Sequence, residues 1–193
     1  MITVGVLAFH GDVIEHIRAT EEAAANLKAN CKVVEIRTSE ELRGLKGLVI
    51  PGGESTNFYK LCRREGMIEG IKRIPNIFGT CAGAIMLAKK VYNAEEGQRT
   101  LGLMDIEIDR NAYGRQSDSF EEDVETKIGR VHAVFIRAPR IKRIGRKVDA
   151  IAERNGEVIA CEQRSKASCY LATCFHPELS TPKFHEYFLK KLF

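Results

Sequence analysis

Three short stretches of the chain carry the residue types that nucleophilic chemistry needs. In the first, Gly79-Thr80-Cys81-Ala82-Gly83, a cysteine sits between two glycines. This is the Gly-x-nucleophile-x-Gly pattern of a sharp strand-to-helix turn, which lifts one side chain clear of a sheet. A cysteine attacks as its thiolate, so it needs a base, and the base needs a group to orient it. The second stretch, Cys174-Phe175-His176-Pro177-Glu178, offers both. Pro177 biases His176 toward extended backbone, and in an extended chain positions i and i+2 point the same way. Glu178 can then accept a hydrogen bond from one imidazole nitrogen and leave the other for Cys81. The third is Pro51-Gly52-Gly53-Glu54-Ser55. Its glycines let the backbone approach a ligand closely, and it is no Walker loop, because no Gly-Lys-Ser/Thr follows. The Gly53 N–H and the Ala82 N–H, the latter at a helix start, would make an oxyanion hole. Taken singly, each stretch also has a plainer reading: a structural cysteine, a turn with a capping acid, an ordinary strand–helix turn.

These groups must be placed by the elements around them. Ile2–Phe9 reads as a buried strand. Asp12–Asn30 carries Val13, Ile14, Ile17, Ala24 and Leu27 at helical spacing. Strands follow at Lys32–Arg37 and Asn76–Gly79, Gly47–Ser55 is a strand running into a glycine loop and a helix start, Ser39–Leu42 is a short helical turn, and a long apolar-periodic helix follows Cys81. Short apolar strands alternating with helices imply an α/β fold with a mainly parallel sheet flanked by helices. The second half is richer in strands ("MDIEIDR", "HAVFIRA", "VDAIAER", "VIACEQR", "CYLATCF") and closes on an amphipathic helix, "PKFHEYFLKKLF". The expectation is one domain over residues 1–193, with an antiparallel elaboration in the second half. Ligands of such sheets bind outside the carboxyl ends of the strands, where Pro51–Ser55 and Cys81 would both lie.

Composition excludes several classes. A net charge of +4 is too mild to argue for nucleic acid by itself. The run Arg137–Lys147 holds only basic charges; it reads first as a solvated face, next as a docking surface for an acidic partner. No apolar run approaches the roughly 18 residues of a membrane span, and "MITVGVLAFHG" lacks a signal peptide's basic start. The six cysteines form no C-x-x-C pair, so reduced thiols in a cytoplasmic protein are expected. The spacing of Cys174 and His176 is not a zinc signature. His10, His16, His132 and His185 read as surface or satisfied core groups.

"PGGEST", "FGTCAGAIMLAKK", "RNAYGRQSDSFE", "VFIRAP" and "CFHPEL" together resemble the glutaminase subunit of pyridoxal 5′-phosphate synthase, a class I, triad-type glutamine amidotransferase. The resemblance covers nearly the whole chain. It implies a flavodoxin-like class I glutaminase architecture, and Cys81 as nucleophile with His176 and Glu178 as its relay. It implies L-glutamine as substrate, contacted by Gly53, Glu54, Ser55, Arg110, Ile136 and Arg137, with no cofactor. A guanidinium suits glutamine's α-carboxylate, although Arg110 reads equally well as a surface ion pair. It also implies delivery of ammonia to a barrel-type synthase subunit in a hetero-oligomeric complex, for vitamin B6 synthesis. One departure is visible: His10 stands where the family usually has glutamine, in a neighbourhood that faces the synthase. A glutaminase serving another synthase, or a catalytically silent module on the same fold, would share much of this pattern.

Overall fold

The computed structural model describes residues 1–110 and 119–193; most of the "RNAYGRQSDSFE" motif lies outside the described residues. The central element is a seven-stranded sheet. Its middle is built from short, continuously apolar strands: β1 (Ile2–Leu7), β3 (Gly47–Ile50) and β4 (Asn76–Thr80). Such runs suit strands covered on both faces, and Val4, Val6, Leu48, Val49, Ile50, Ile77 and Phe78 are all fully buried. β2 (Cys31–Ile36) lies at one edge. β12 (Cys169–Thr173) lies beside β4, and β1, β2, β3, β4 and β12 are all joined in parallel. Beyond β12, β11 (Glu157–Arg164) and β10 (Val148–Arg154) add in antiparallel fashion. The mainly parallel sheet with its antiparallel extension is thus present.

Helices cover both faces. On one side α1 (Val13–Asn26) buries His16, Ala19, Thr20, Ala23 and Ala24, a stripe at helical spacing, and packs with α5 (Lys183–Leu189). On the other, α2 (Ser55–Arg64), α3 (Ile68–Lys72) and α4 (Ala82–Leu87) join a second core with Phe58, Cys62, Ile71 and Ile85. α1 stops four residues short of the Asn30 limit read from periodicity. Lys28 takes a left-handed φ of 51°, while Lys28 N donates to Ala25 O and Ala29 N to Ala24 O. This is a Schellman closure, which ends a helix whatever its apolar spacing.

The long helix expected after Cys81 is also shorter: α4 ends at Leu87 and the chain passes straight into β5 (Ala88–Tyr92). β5 pairs in parallel with β6 (Met104–Asp109), which pairs antiparallel with β9 (Arg140–Ile144). A strand partner overrides periodicity here. Lys90 sits 3.7 Å from Glu107, whose carboxylate also accepts from the Tyr92 hydroxyl at 2.6 Å. β9 occupies part of the basic run, and Arg140 and Arg143 pair with Glu157 and Glu107 at 3.0 and 3.1 Å. Those arginines meet acids of the same chain, not only solvent. A hairpin of β7 (Phe120–Val124) and β8 (Val131–Phe135) completes the fold. Neither β5, β7 nor β9 was legible as a strand.

Candidate active site

Cys81 occupies the turn between β4 and α4. Its φ of 48° and ψ of −104° are strained for a residue with a side chain. The turn is held because Cys81 N donates to Thr173 O at 2.8 Å, at the end of β12. Both flanking glycines are required by packing. A Cβ on Gly83 would lie 2.0 Å from the Ile50 carbonyl oxygen, and one on Gly79 2.5 Å from the Gly83 backbone. The side chain so displayed reaches a cleft of about 530 Å³ lined by Asp12, Gly53, Glu54, Ser55, Arg110, Ile136, Arg137 and His176 with Cys81. The structure therefore brings every sequence-nominated substrate-contact residue, the cysteine and the histidine to one cavity, at the carboxyl ends of the parallel strands.

His176 N is anchored to Val134 O of β8 at 2.8 Å, and its ring Nδ1 lies 2.8 Å from Glu178 Oε1. The His-x-Glu pairing forms, though not on an extended segment: Pro177–Leu179 is a 3₁₀ turn. His176 Nε2 is buried without a hydrogen-bond partner, leaving that nitrogen for a group in the cleft. Burial alone would lower the proton affinity of His176. The carboxylates of Asp12 and Glu178 and the nearness of Cys81 outweigh it and hold the imidazole well above its ordinary value. For Glu178 burial works upward, but His16 first and His176 next pull its carboxyl well below the usual range. An imidazolium between a thiol and a buried carboxylate favours the thiolate.

Asp12 and His16 were not singled out by sequence as site residues. Asp12 stands at the N-cap of α1 but makes no capping bond; instead its carboxylate is 3.0 Å from His176 Nδ1. His16, one turn on, is fully buried and lies 3.2 Å from Glu178 Oε1. The i, i+4 spacing of Asp12 and His16 is the signal that could have linked them. His185 is likewise buried, while His132 is a surface group between Glu121 and Asp123. Asp12, His176 and Glu178 place ligand-type atoms within 4.8 Å of one another. His176 Nδ1 lies within hydrogen-bond distance of both carboxylates, 2.8 Å from Glu178 and 3.0 Å from Asp12.

On the opposite wall, Glu54 caps α2, accepting from Thr56 N at 2.9 Å and Asn57 N at 2.7 Å. Arg110 Nη2 binds Glu54 at 2.8 Å and Glu95 at 2.9 Å, and Nη1 binds Thr56 Oγ1 at 3.0 Å. The Arg110 guanidinium is largely buried, paired with two more exposed acids, and borders the cleft. Arg137, exposed and with a left-handed φ of 45°, has no side-chain partner among the described residues. Gly52 lies so close to the imidazole that a Cβ there would be 2.3 Å from His176 Cε1. Gly53, at φ 133°, packs on His10, which stacks on Phe58 at 4.0 Å.

A cysteine elbow over a mainly parallel α/β sheet, with the histidine of a buried His-Glu pair in the same cleft, defines the class I glutamine amidotransferase architecture. Residues 6–193 match the SNO glutamine amidotransferase family, and the chain belongs to it; it is a glutamine amidotransferase. A relative from Korarchaeum cryptofilum, named pyridoxal 5′-phosphate synthase subunit PdxT, is 46% identical over 98% of each chain. Its namesake from Niallia circulans is 47% identical over 96% of this chain and 95% of that one. Among solved structures, one described as a glutamine amidotransferase superposes with a TM-score of 0.83 at 42% identity, covering 98% of both chains. A putative GMP synthase component from Thermoplasma acidophilum, 17% identical, shares the fold, with a TM-score of 0.63 over all of this chain and 92% of that one. Among the described residues no helix is long and apolar enough to cross a membrane.

Proposed function

We propose that this chain hydrolyses L-glutamine to L-glutamate and ammonia with Cys81, His176 and Glu178, as the glutaminase subunit of a pyridoxal 5′-phosphate synthase. The observation that carries the reading is the state of His176. One ring nitrogen is fixed by Glu178 at 2.8 Å, and the other is buried and unpartnered in the cleft that Cys81 enters. The Cys81 thiolate attacks the side-chain amide carbon, forming a C–S bond as the carbonyl electron pair moves onto oxygen. Backbone N–H groups of Gly53 and Ala82 receive that charge. Collapse breaks the C–N bond while imidazolium Nε2 gives its proton to the departing nitrogen, releasing ammonia. His176, now neutral, takes a proton from water, whose oxygen attacks the thioester and expels the thiolate with glutamate. Arg137, with Arg110 beside it, meets the α-carboxylate of the substrate.

The PdxT relatives at 46% and 47% identity over nearly the full chain support the assignment of partner. The ammonia then passes to a barrel-type synthase subunit in a hetero-oligomer, and His10 near the mouth of the cleft contributes to that contact. The test is glutamate release from glutamine with and without a synthase subunit of this family. Cys81→Ala should abolish release while leaving the thermal melt unchanged. Hydrolysis by the Cys81→Ala protein near the wild-type rate would remove Cys81 as nucleophile.

A further inference from the structure

Behind Glu178, away from the cleft, the fold buries two more histidines. His16 on α1 and His185 on α5 are both wholly inaccessible to solvent. His16 Nε2 lies 3.2 Å from Glu178 Oε1 and 3.0 Å from Thr80 Oγ1, and His16 Nδ1 lies 2.9 Å from His185 Nε2. His185 Nδ1 has no partner. Polar side chains are costly to bury, and a structural core at this point needs none of them. Thr80, the residue before Cys81, is also buried, so this row touches the elbow and the relay together.

The chemistry of the row fixes its protons. A carboxylate oxygen only accepts, so His16 Nε2 carries a hydrogen and donates to Glu178, sharing it with Thr80 Oγ1. If His16 were cationic, Nδ1–H would donate to His185 Nε2 and leave His185 with an unpaired N–H inside the core. With His16 neutral, His185 Nε2–H donates to His16 Nδ1, and only a lone pair on His185 Nδ1 goes unmet. Burial, the largest cause, pushes His185 down to about 3, which fits the neutral form. The row therefore runs in one direction: His185 fixes the tautomer of His16, and that tautomer aims an N–H at Glu178.

We propose that His16, held by His185, is a positioning residue of the glutaminase reaction, keeping the Glu178 carboxylate ionised and aimed at His176. The proposal rests on the triad reading above. Its use comes when His176 gives up its Nε2 proton to ammonia. The imidazole is then neutral, and the buried carboxylate loses the cation that balanced it. Oε2 has no partner, so without His16 a fully buried anion would keep hydrogen bonds only from the His176 ring. Glu178 would then bind a proton more readily and cease to hold the imidazole.

Among the described residues the charged and titratable groups around Glu178 are His16 from α1, His176 at the head of its own 3₁₀ turn, and Asp12, whose carboxylate pairs with His176 and lies within 4.8 Å of Glu178. Around His16 they are Glu178 and His185, with Thr80 from β4. A pH titration that reports thiolate formation therefore reads this network. The measurement is the rate of Cys81 alkylation by iodoacetamide against pH, resolved at Cys81 by mass spectrometry, in the wild type and in His16→Phe, His16→Gln and His185→Phe variants.

The wild-type profile is the reference against which the variants are read. His16→Phe, which removes the donor, should move it up by about one pH unit, the scale of one charge-assisted hydrogen bond. His16→Gln keeps an N–H donor and should stay near wild type. His185→Phe frees the tautomer of His16 and should shift the inflection in the same direction by less. Coincident profiles for His16→Phe and wild type would overturn the proposal while sparing the triad. If His16→Phe does not fold, His185→Phe decides by the same criterion. A Cys81 profile that His176→Ala also leaves unmoved would sink the triad reading and this proposal with it, and is thereby distinguished from failure of the positioning role alone.

Discussion

Gly52→Ala is the sharpest probe of how the relay is held. A Cβ at residue 52 would stand 2.3 Å from His176 Cε1. Carbon atoms in contact rest near 3.5–4.0 Å, so the imidazole must retreat by at least about 1 Å. The backbone is not the obstacle, since Gly52 is not among the glycines with positive φ. The ring cannot swing freely either: Nδ1 is tied to Glu178 at 2.8 Å and to Asp12 at 3.0 Å. The added methyl group therefore breaks these bonds or turns Nε2 away from Cys81. A displacement of about 1 Å in a reacting group costs on the order of 10²-fold in rate, and the overpacking itself costs about 1–3 kcal/mol of stability. Glutamate release with the synthase subunit present should fall accordingly, while thermal unfolding shows a smaller, separate loss. In a His176→Ala background the clash partner is gone, so adding Gly52→Ala should cost almost no further stability, a non-additivity that a double-mutant cycle reads directly. A folded Gly52→Ala enzyme retaining more than about a tenth of the wild-type rate, or a stability loss unchanged in the His176→Ala background, would refute the reasoning.

Glu178→Gln should be milder than His176→Ala, because Glu178 orients the imidazole without taking the substrate proton and Asp12 still accepts from Nδ1; steady-state rates of both variants, and of Glu178→Gln with Asp12→Asn, check this, the double variant falling furthest. Arg137→Ala on a Cys81→Ala background should weaken glutamine binding about ten- to a hundredfold by calorimetry, whereas Arg110→Ala should also lower the melting temperature by releasing Glu54 and Glu95 from their shared partner; unchanged affinity in both would return these arginines to a structural role. Acid stability should fall from about pH 6.5 downward, because the folded-state value of His185, about 3, lies below the unfolded one. The unfolded chain therefore binds the extra proton below pH 6.5, and stability drops by up to about 1.4 kcal/mol per pH unit. Below about 4.3 the depressed Glu178 adds to the slope in the same direction, and chemical denaturation of His185→Phe at pH 6.5 and 5 should show the flatter dependence.

The sequence determined the parts whose chemistry is local. The glycines around Cys81 imposed a turn that only they can make, and the apolar runs of β1, β3 and β4 declared a parallel sheet buried on both faces. The two-residue step from His176 to Glu178 announced a pair, although a 3₁₀ turn and not an extended segment brings it about. What the sequence left open depends on atoms far apart along the chain. The end of the helix after Cys81 was decided by the pairing of β5 with β6, a contact that apolar spacing does not encode. Arg110 read equally as an ion pair or a substrate contact; only the tertiary structure sets Glu54 and Glu95 on its guanidinium at the edge of the cleft. Asp12 opened the helical segment read from sequence without being singled out, and only the packing of α1 against the His176 turn directs its carboxylate at the imidazole. His16 and His185 read as surface or satisfied core groups because neither has the setting of His176, with an acid two residues on. The crossing of α1 with α5 beneath Glu178 sets them in a row, where burial raises the energy of an unpaired group and so makes each hydrogen bond consequential.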